Sequence, residues 1–342
     1  MSQDIAINSG PAAGDSETKT LLDVVSEPQA KFDWRSKLTA ANIVAWIIAT
    51  VVISFVFSSL FAYYWKRWNE SHAPFGYGYF VPPSVLFLIW AKRKNIAKET
   101  VQSGSFLALL LVLLGVAIHC VGLIANATIV QSLAFTILFM TMPYYVWGGG
   151  VYRHLWGPLL YMTTMIPWPG QITSKILVPM QGISTTMASG ILSGMGTHIY
   201  VDGTTVSTGN YTFEVAAACS GLTILFPTIA IAILTTMMVH GALWRKLLLV
   251  ASAVPVSIVA NSIRIALIGM IGDKGGVQLA NTLHDSSGIV GVIIATVVLS
   301  GVGALLKVSH YYDDYMPEWA RDPGPAAPVD AEADPEVLVG SK

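Results

Sequence analysis

The chain has 342 residues, of which 54% are apolar and only 11% are charged, whereas an average soluble domain is about 25% charged. Ten of the 39 charged residues lie in residues 1–37 and eleven in residues 307–342, so that 18 remain for the 269 residues between. This is too little charge for the surface of a soluble globule of this size. The composition therefore excludes a soluble enzyme, a disordered protein and a nucleic-acid-binding protein, and it predicts that the middle of the chain lies in a membrane.

Apolar segments follow one another along this middle part. A hydrocarbon core of about 30 Å requires about 20 apolar residues per helix, and the runs are continuous, which favours helices over alternating strands. The segments cover residues 42–64, 79–91, 105–125, 129–147, 154–167, 215–239, 247–271 and 286–306. We therefore predict an all-α membrane protein, a polytopic bundle of about eight transmembrane helices.

The two ends of the chain differ from this middle part. Residues 1–37 are polar and lack the apolar stretch of a cleavable signal peptide, so we expect a disordered cytoplasmic tail and an uncleaved first span. Residues 311–342 are acidic and rich in Pro and Ala, which is typical of a disordered tail. The transmembrane domain is accordingly predicted to comprise residues 38–310.

Positive charges beside the spans predict the orientation. Lys92, Arg93 and Lys94 follow the second span, and alternate crossings then place both termini, Arg153 and the Arg245–Lys246 pair on the cytoplasmic side. The Lys66–Arg67 pair is the exception, and Glu70 balances it.

This orientation makes residues 65–78, 168–214 and 272–285 extracytoplasmic. Within the second of these segments, the apolar rhythm of residues 172–195 predicts an interfacial helix. Asp202-Gly203 lies between β-branched residues and predicts a small hairpin.

An arginine is predicted inside the seventh span. Arg264 cannot be neutralised and must meet acceptors or an anion. The residues 3, 7 and 11 positions before it are Asn261, Ser257 and Ala253, which share its helical face. This small, polar face predicts that Arg264 points into the bundle; the alternative is that it snorkels to the outer surface.

A cysteine and a histidine lie near the same outer end. Cys219 is predicted one turn inside its helix, surrounded by Ala, Ser and Gly residues that let another backbone approach. His284 is predicted to open the last span, with Gly288 and Gly291 continuing its face, and Asp285 is placed to orient the imidazole or to face water. The alternatives are a cysteine that only fills space and a histidine at the membrane interface.

A second cysteine–histidine pair has a simpler interpretation. His119 and Cys120 lie in the middle of the third span and point to different helical faces. They do not complete a metal site, which needs three or four ligands. We expect packing or hydrogen bonding between helices here, and we expect no metal and no cofactor in the protein.

Together, Cys219, Arg264 and His284 suit acyl transfer. A thiolate attacks a carbonyl, an imidazole takes and returns the proton, and a guanidinium stabilises the thiolate or the oxyanion. The predicted topology brings all three residues to one membrane face.

Three stretches of the sequence resemble the motifs of the exosortase/archaeosortase family of membrane cysteine transpeptidases, in the same order and at similar separations. They are Val215-Ala-Ala-Ala-Cys219-Ser-Gly-Leu222, Ala253-Val-Pro255 through Asn261-Ser-Ile-Arg264-Ile265, and His284-Asp285-Ser-Ser-Gly288. Asp202-Gly203-Thr204 resembles the turn before the cysteine helix. The segment 76–83 resembles more weakly a stretch that often reads Ser-His-Gly, with Gly76 and Tyr77 in place of Ser and His. A histidine at position 284 favours the bacterial branch, and the resemblance covers residues 60–306.

The resemblance implies a catalytic triad of Cys219, Arg264 and His284. It also implies supporting or substrate-positioning roles for a second set, Ser220, Gly221, Asn261 and Asp285. The implied substrates are exported proteins with a C-terminal sorting signal, consisting of a Pro-containing motif, a membrane helix and a basic cluster. Cleavage is expected at the extracytoplasmic face of the inner (plasma) membrane, through a thioester that is passed to an amine-bearing acceptor or to water. The implied partners are thus these proteins and the lipid bilayer, and no nucleic acid.

Two other function classes stay open at this point. One is a multispanning transporter or channel that binds an anion through Arg264, Asn261 and His284. The other is a membrane protein of polysaccharide assembly without peptidase activity.

Overall fold

The computed structural model describes residues 40–70, 74–101, 105–215 and 221–308, and within them the chain is almost entirely helical. The helices are α1 (Ala40–Val56), α2 (Ser58–Asn69), α3 (Val81–Ala91), α4 (Arg93–Ile96), α5 (Phe106–Ile124), α6 (Thr128–Met162), α7 (Gly170–Gly194), α8 (Leu222–Met238), α9 (Leu243–Gly275) and α10 (Val277–Leu305). Short 3-10 helices, Gly76–Phe80 and Thr163–Met165, precede α3 and follow α6. The predicted tails, residues 1–37 and 311–342, lie outside the described residues.

Within the described residues, four helices are long and apolar enough to cross a membrane: α5, α6 with its 3-10 extension, α9 and α10. Helix α8 and the stretch Gly76–Ala91 are apolar but shorter. The fold class of a helical membrane protein is thus confirmed. Eight crossings are not confirmed, and their number stays a prediction.

Helix α6 reverses its direction in the middle. Gly148 has a φ of 75° and a ψ of 179°, which breaks the helical path. The rings of Tyr144 and Tyr152 lie 5.2 Å apart, although residues eight positions apart in a straight helix are separated by about 12 Å along the axis. The two arms of α6 therefore pack side by side, and they correspond to the predicted segments 129–147 and 154–167.

Helix α9 is the central helix of the C-terminal half, since α7, α8 and α10 all pack against it. Its most apolar stretch is 56% buried, whereas the corresponding stretches of α5, α6 and α10 are each 22% buried. Polar side chains on α9, including Ser257, Asn261 and Ser262, are completely buried. The centre of this half is consequently polar as well as apolar.

The N-terminal half has an aromatic core. The ring of Phe57 contacts the rings of Phe135 and His119, and His119 Nε2 lies 3.1 Å from the carbonyl oxygen of Val56. His119 is buried, whereas Cys120 is exposed on another face. The prediction of packing or hydrogen bonding between helices is thereby confirmed for His119, and it stays a prediction for Cys120.

A small antiparallel sheet connects α7 to the residues before α8. Strand β1 (Tyr200–Asp202) pairs with β2 (Thr205–Ser207), and β2 pairs with β3 (Thr212–Glu214). The hairpin predicted at Asp202-Gly203 is confirmed, and the third strand is an addition to it. The sheet is anchored on α9, because a Cβ on Gly272 would lie within 2.2 Å of the Tyr211 ring.

Helix α7 covers the predicted segment 172–195. One of its faces is buried, including Thr185, Ala188 and Leu192, and it packs along α9. The helix is confirmed, while its position along the membrane surface stays a prediction.

Candidate active site

Arg264 lies in the interior of the bundle, where only 5% of the residue is exposed. The residues that share its face, Asn261, Ser257 and Ala253, are completely buried. The inward face predicted from their spacing is confirmed, and the alternative that Arg264 snorkels to the surface is wrong. Helix α9 continues for three turns beyond Arg264 to Gly275, one turn more than the sequence predicted, because the sheet packs on this extension.

Gly221 packs directly against Asn261. Its φ of 90° lies in the left-handed region, and a Cβ at this position would lie 3.2 Å from both Cγ and Nδ2 of Asn261. The carbonyl oxygen of Gly221 accepts the N–H of Leu225 at 2.8 Å, which starts α8. Two of the predicted supporting residues are therefore in contact.

The start of α8 differs from the prediction. Val215 is not helical: its N–H donates to the carbonyl oxygen of Thr204 at 2.9 Å, and its own carbonyl oxygen accepts the side-chain amide of Gln181. These contacts hold Val215 at the sheet, and the described helix begins only at Leu222. Cys219 and Ser220, which the sequence placed inside this helix, lie outside the described residues.

His284 also differs in its position along its helix. Helix α10 begins at Val277, seven residues earlier, so His284 does not stand at the start of its helix. The reason is that the backbone breaks at Gly276, with a φ of 85°, and the polar residues that follow it are already helical. The apolar span within α10 covers Gly288–Leu305, and His284 lies one turn before it, as predicted. The side chains of His284 and Asp285 lie outside the described residues.

The face that continues from His284 packs into the same region. A Cβ on Gly291 would lie 2.4 Å from Ile224 on α8 and 3.9 Å from Cδ of Arg264, and Ala295 is completely buried. Positions 4, 7 and 11 after His284 share its helical face. The small-residue face predicted for α10 thus allows α8, α9 and α10 to approach closely.

A cavity of about 690 Å³ opens beside this contact. Its lining includes Arg264, Gly288 one turn after His284, and Thr223 at the start of α8. Tyr77 lines the opposite side, and its hydroxyl donates to the carbonyl oxygen of Thr164 at 2.6 Å. The cavity therefore brings the arginine and histidine motifs together with the segment 76–83.

Comparison with known proteins decides the family. Residues 65–301, more than half of the chain, match the family model of the transmembrane exosortases. The chain belongs to the exosortase family. No curated protein and no solved structure matches it.

Arg153 and His154 of this exosortase share one carboxylate. Arg153 pairs with Glu99, and His154 Nε2 lies 3.1 Å from the same carboxylate. The hydrogen bonds from His154 and Arg153 lower the pKa of Glu99. The side of the membrane that Arg153 occupies stays a prediction.

Sequence reasoning missed most of the cavity lining in this exosortase, including Tyr161 and Thr223. Tyr161 comes from the second arm of α6, and Thr223 from the first turn of α8. Within the described residues, the buried hydroxyl of Thr223 has no hydrogen-bond partner. Neither residue carries a signal in the sequence beyond its nearness to a motif. No group of three metal-ligating side chains occurs in the part of the chain that the structure describes.

Proposed function

We propose that this exosortase is a membrane cysteine transpeptidase. It cleaves the C-terminal sorting signal of exported proteins at the outer face of the inner membrane. The observation that carries the proposal is the shared site of three motifs: Arg264 and Gly288 line one cavity, and Gly221, two residues after Cys219, packs on Asn261.

The burial of Arg264 supports an electrostatic role. A guanidinium stays charged in a protein interior, where its electric field is stronger than in water. Placing such a charge beside a cavity is useful when a negative charge develops there. In acyl transfer this charge is first the thiolate and then the oxyanion of the tetrahedral intermediate.

The proposed reaction has two steps. The Cys219 thiolate attacks the carbonyl carbon of the scissile peptide bond, and the C–N bond breaks as His284 donates a proton to the leaving amine. The exported protein is now held as a thioester. An amine or water then attacks this thioester, His284 takes the proton of the attacking group, and the thiolate leaves.

The supporting residues position this chemistry. Asn261 lies one turn before Arg264 and against Gly221, so it fixes the distance between α8 and α9 at the site. Ser220 and Asp285 are proposed, from the family resemblance, to assist the oxyanion and the imidazole.

The two cysteines allow a matched test. The purified protein is incubated with candidate tail peptides and examined by intact mass spectrometry. A covalent adduct that hydroxylamine removes is expected on the wild type and on Cys120→Ala, and no adduct on Cys219→Ala. An adduct that survives Cys219→Ala would overturn the proposed nucleophile.

The same variant separates the alternative functions. A transporter that binds an anion through Arg264 keeps its activity in Cys219→Ala but loses it in Arg264→Ala. A scaffold of polysaccharide assembly tolerates both changes, whereas the transpeptidase tolerates neither.

A further inference from the structure

The cavity continues away from Arg264 along one face of α8. Thr223, Pro227, Ile231 and Leu234 line it, at offsets of 4, 8 and 11 residues from the first. This face is about 16 Å long, since each helical residue rises about 1.5 Å. The cavity is therefore a groove of three helical turns that starts at the proposed active site.

Two apolar edges border the groove. Phe80, directly before α3, is 73% exposed, and Ile289 on α10 is 74% exposed, and both residues line the cavity. The bundle thus leaves the groove open at its side, between α3 and α10, in a protein whose surroundings are expected to be lipid.

The polarity of the groove changes along its length. Arg264 and Thr223 line its upper end, which is the end next to the proposed active site. Farther down, Ser84 donates its hydroxyl to the carbonyl oxygen of Phe80 at 2.8 Å, so its polar hydrogen is satisfied within the chain. Tyr161, which is hydrogen-bonded to Ser84, also lines the cavity. Beyond these two polar side chains, Ile231 and Leu234 give the far end of the groove an apolar lining.

We propose that this groove receives the membrane helix of the sorting signal, which reaches it sideways from the lipid between α3 and α10. The inference rests on the proposed function and adds the place where the substrate helix docks. The groove volume of about 690 Å³ accommodates the side chains of one helix face rather than a whole helix, so the other face of the substrate helix stays in lipid.

The order of groups in the groove matches the order along the substrate. The scissile motif precedes the membrane helix in the sorting signal, and Arg264 lies at the end of the groove from which the apolar lining begins. A substrate helix that docks along α8 has its first turn at Thr223. The peptide bond that precedes this helix then lies near Arg264 and near position 284 of α10, one turn before Gly288.

A blocking substitution tests this docking. Ser84→Trp fills the groove from α3 without replacing a proposed catalytic residue, whereas Leu86→Trp places the same side chain at an exposed position of the same helix. The substrates are a tail peptide that forms the Cys219 adduct and the same peptide shortened to the motif without its helix.

We expect Ser84→Trp to lower cleavage of the helix-bearing peptide about tenfold or more, as loss of one buried apolar contact implies. The short peptide is cleaved at an unchanged rate, and Leu86→Trp affects neither peptide. If Ser84→Trp lowers the cleavage rates of both peptides equally, or lowers neither rate, the proposed docking site is wrong.

Crosslinking tests the docking without catalysis. A photoreactive phenylalanine is placed at position 84 or 86 in the Cys219→Ala protein, which is irradiated in native membranes. The expected adduct forms at position 84 only, and it contains a peptide with a Pro-containing motif, an apolar helix and a basic end. A phospholipid adduct at position 84, or equal peptide adducts at both positions, contradicts the inference. If no tail forms the Cys219 adduct, the proposed function fails while this experiment still reports on the groove.

Discussion

His119 and Arg264 are both ionisable residues buried in the bundle, and their surroundings differ. His119 lies in the N-terminal half, where the Phe57 ring packs on it at 4.2 Å and the Val56 carbonyl oxygen lies within hydrogen-bonding distance. Arg264 lies in the C-terminal half and lines a cavity. The comparison teaches that a polar side chain within a membrane protein points to function when space for a ligand adjoins it, and to packing when its neighbours fill that space.

The largest effect is expected at Arg264. Arg264→Lys keeps the positive charge but loses the planar fork, and loss of oxyanion stabilisation lowers the rate about 100-fold or more. The rate of tail-peptide cleavage measures this effect. Arg153→Lys, at an exposed arginine that does not line the cavity, is the matched control, and equal activity of the two variants would remove Arg264 from the mechanism.

The next effect is expected where Gly221 meets Asn261. Gly221→Ala forces a side chain into the left-handed region and against the Asn261 amide, which costs about 1–2 kcal/mol for the backbone alone. We expect a lower thermal midpoint in detergent together with slower cleavage.

Gly190→Ala in α7 is the control for this change, since a Cβ there meets nothing within 4 Å. Replacing a helical glycine in open space stabilises by about 0.5–1 kcal/mol. If Gly221→Ala and Gly190→Ala have the same thermal midpoint, the contact between Gly221 and Asn261 is not tight.

A smaller and different effect is expected at His119. His119→Ala removes a packed ring and a hydrogen bond and costs about 2 kcal/mol of stability, measured as a lower unfolding midpoint. Cleavage per folded molecule is expected to stay unchanged, because His119 does not line the cavity. Cys120→Ala is the neighbouring control with little effect on either quantity. A lower cleavage rate of His119→Ala, measured for the same amount of folded protein as the wild type, would contradict the distinction drawn between His119 and Arg264.

The smallest effect is expected at Glu99. Its pKa is lowered in the folded protein, so its contribution to stability is present above its ordinary pKa of 4.5 and is lost as the pH falls through the lowered value. The thermal midpoint of Glu99→Gln should therefore be slightly lower than that of the wild type at neutral pH. At a pH below the lowered pKa of Glu99, the two midpoints should be equal. A difference that persists in acid would show that the charge of Glu99 is not its cause.

Helical spacing was enough to predict the face of Arg264. Asn261, Ser257 and Ala253 follow the local geometry of one helix, and the structure buries all of them. The helix ends could not be predicted in this way. Val215 is held by Thr204 and Gln181, two partners far away along the chain, and no local pattern encodes such contacts.

The start of α10 and the cavity could not be predicted from the sequence, for related reasons. Polar residues after Gly276 favour a loop, yet they form the first turns of a helix. The cavity depends on how the segment 76–83, α8 and α10 pack together, and Tyr161 reaches it only because α6 reverses at Gly148. Such placements arise from packing between distant segments.

The residues on either side of the stretch 216–220, which carries Cys219, are held in place by contacts. Before Cys219, the N–H of Val215 donates to the carbonyl oxygen of Thr204 in the turn between β1 and β2. After Cys219, Gly221 packs against Asn261. Only five residues bridge these two anchor points. Because this link is short, we expect that a partner protein that displaces the sheet changes the reaction rate at Cys219, the proposed nucleophile.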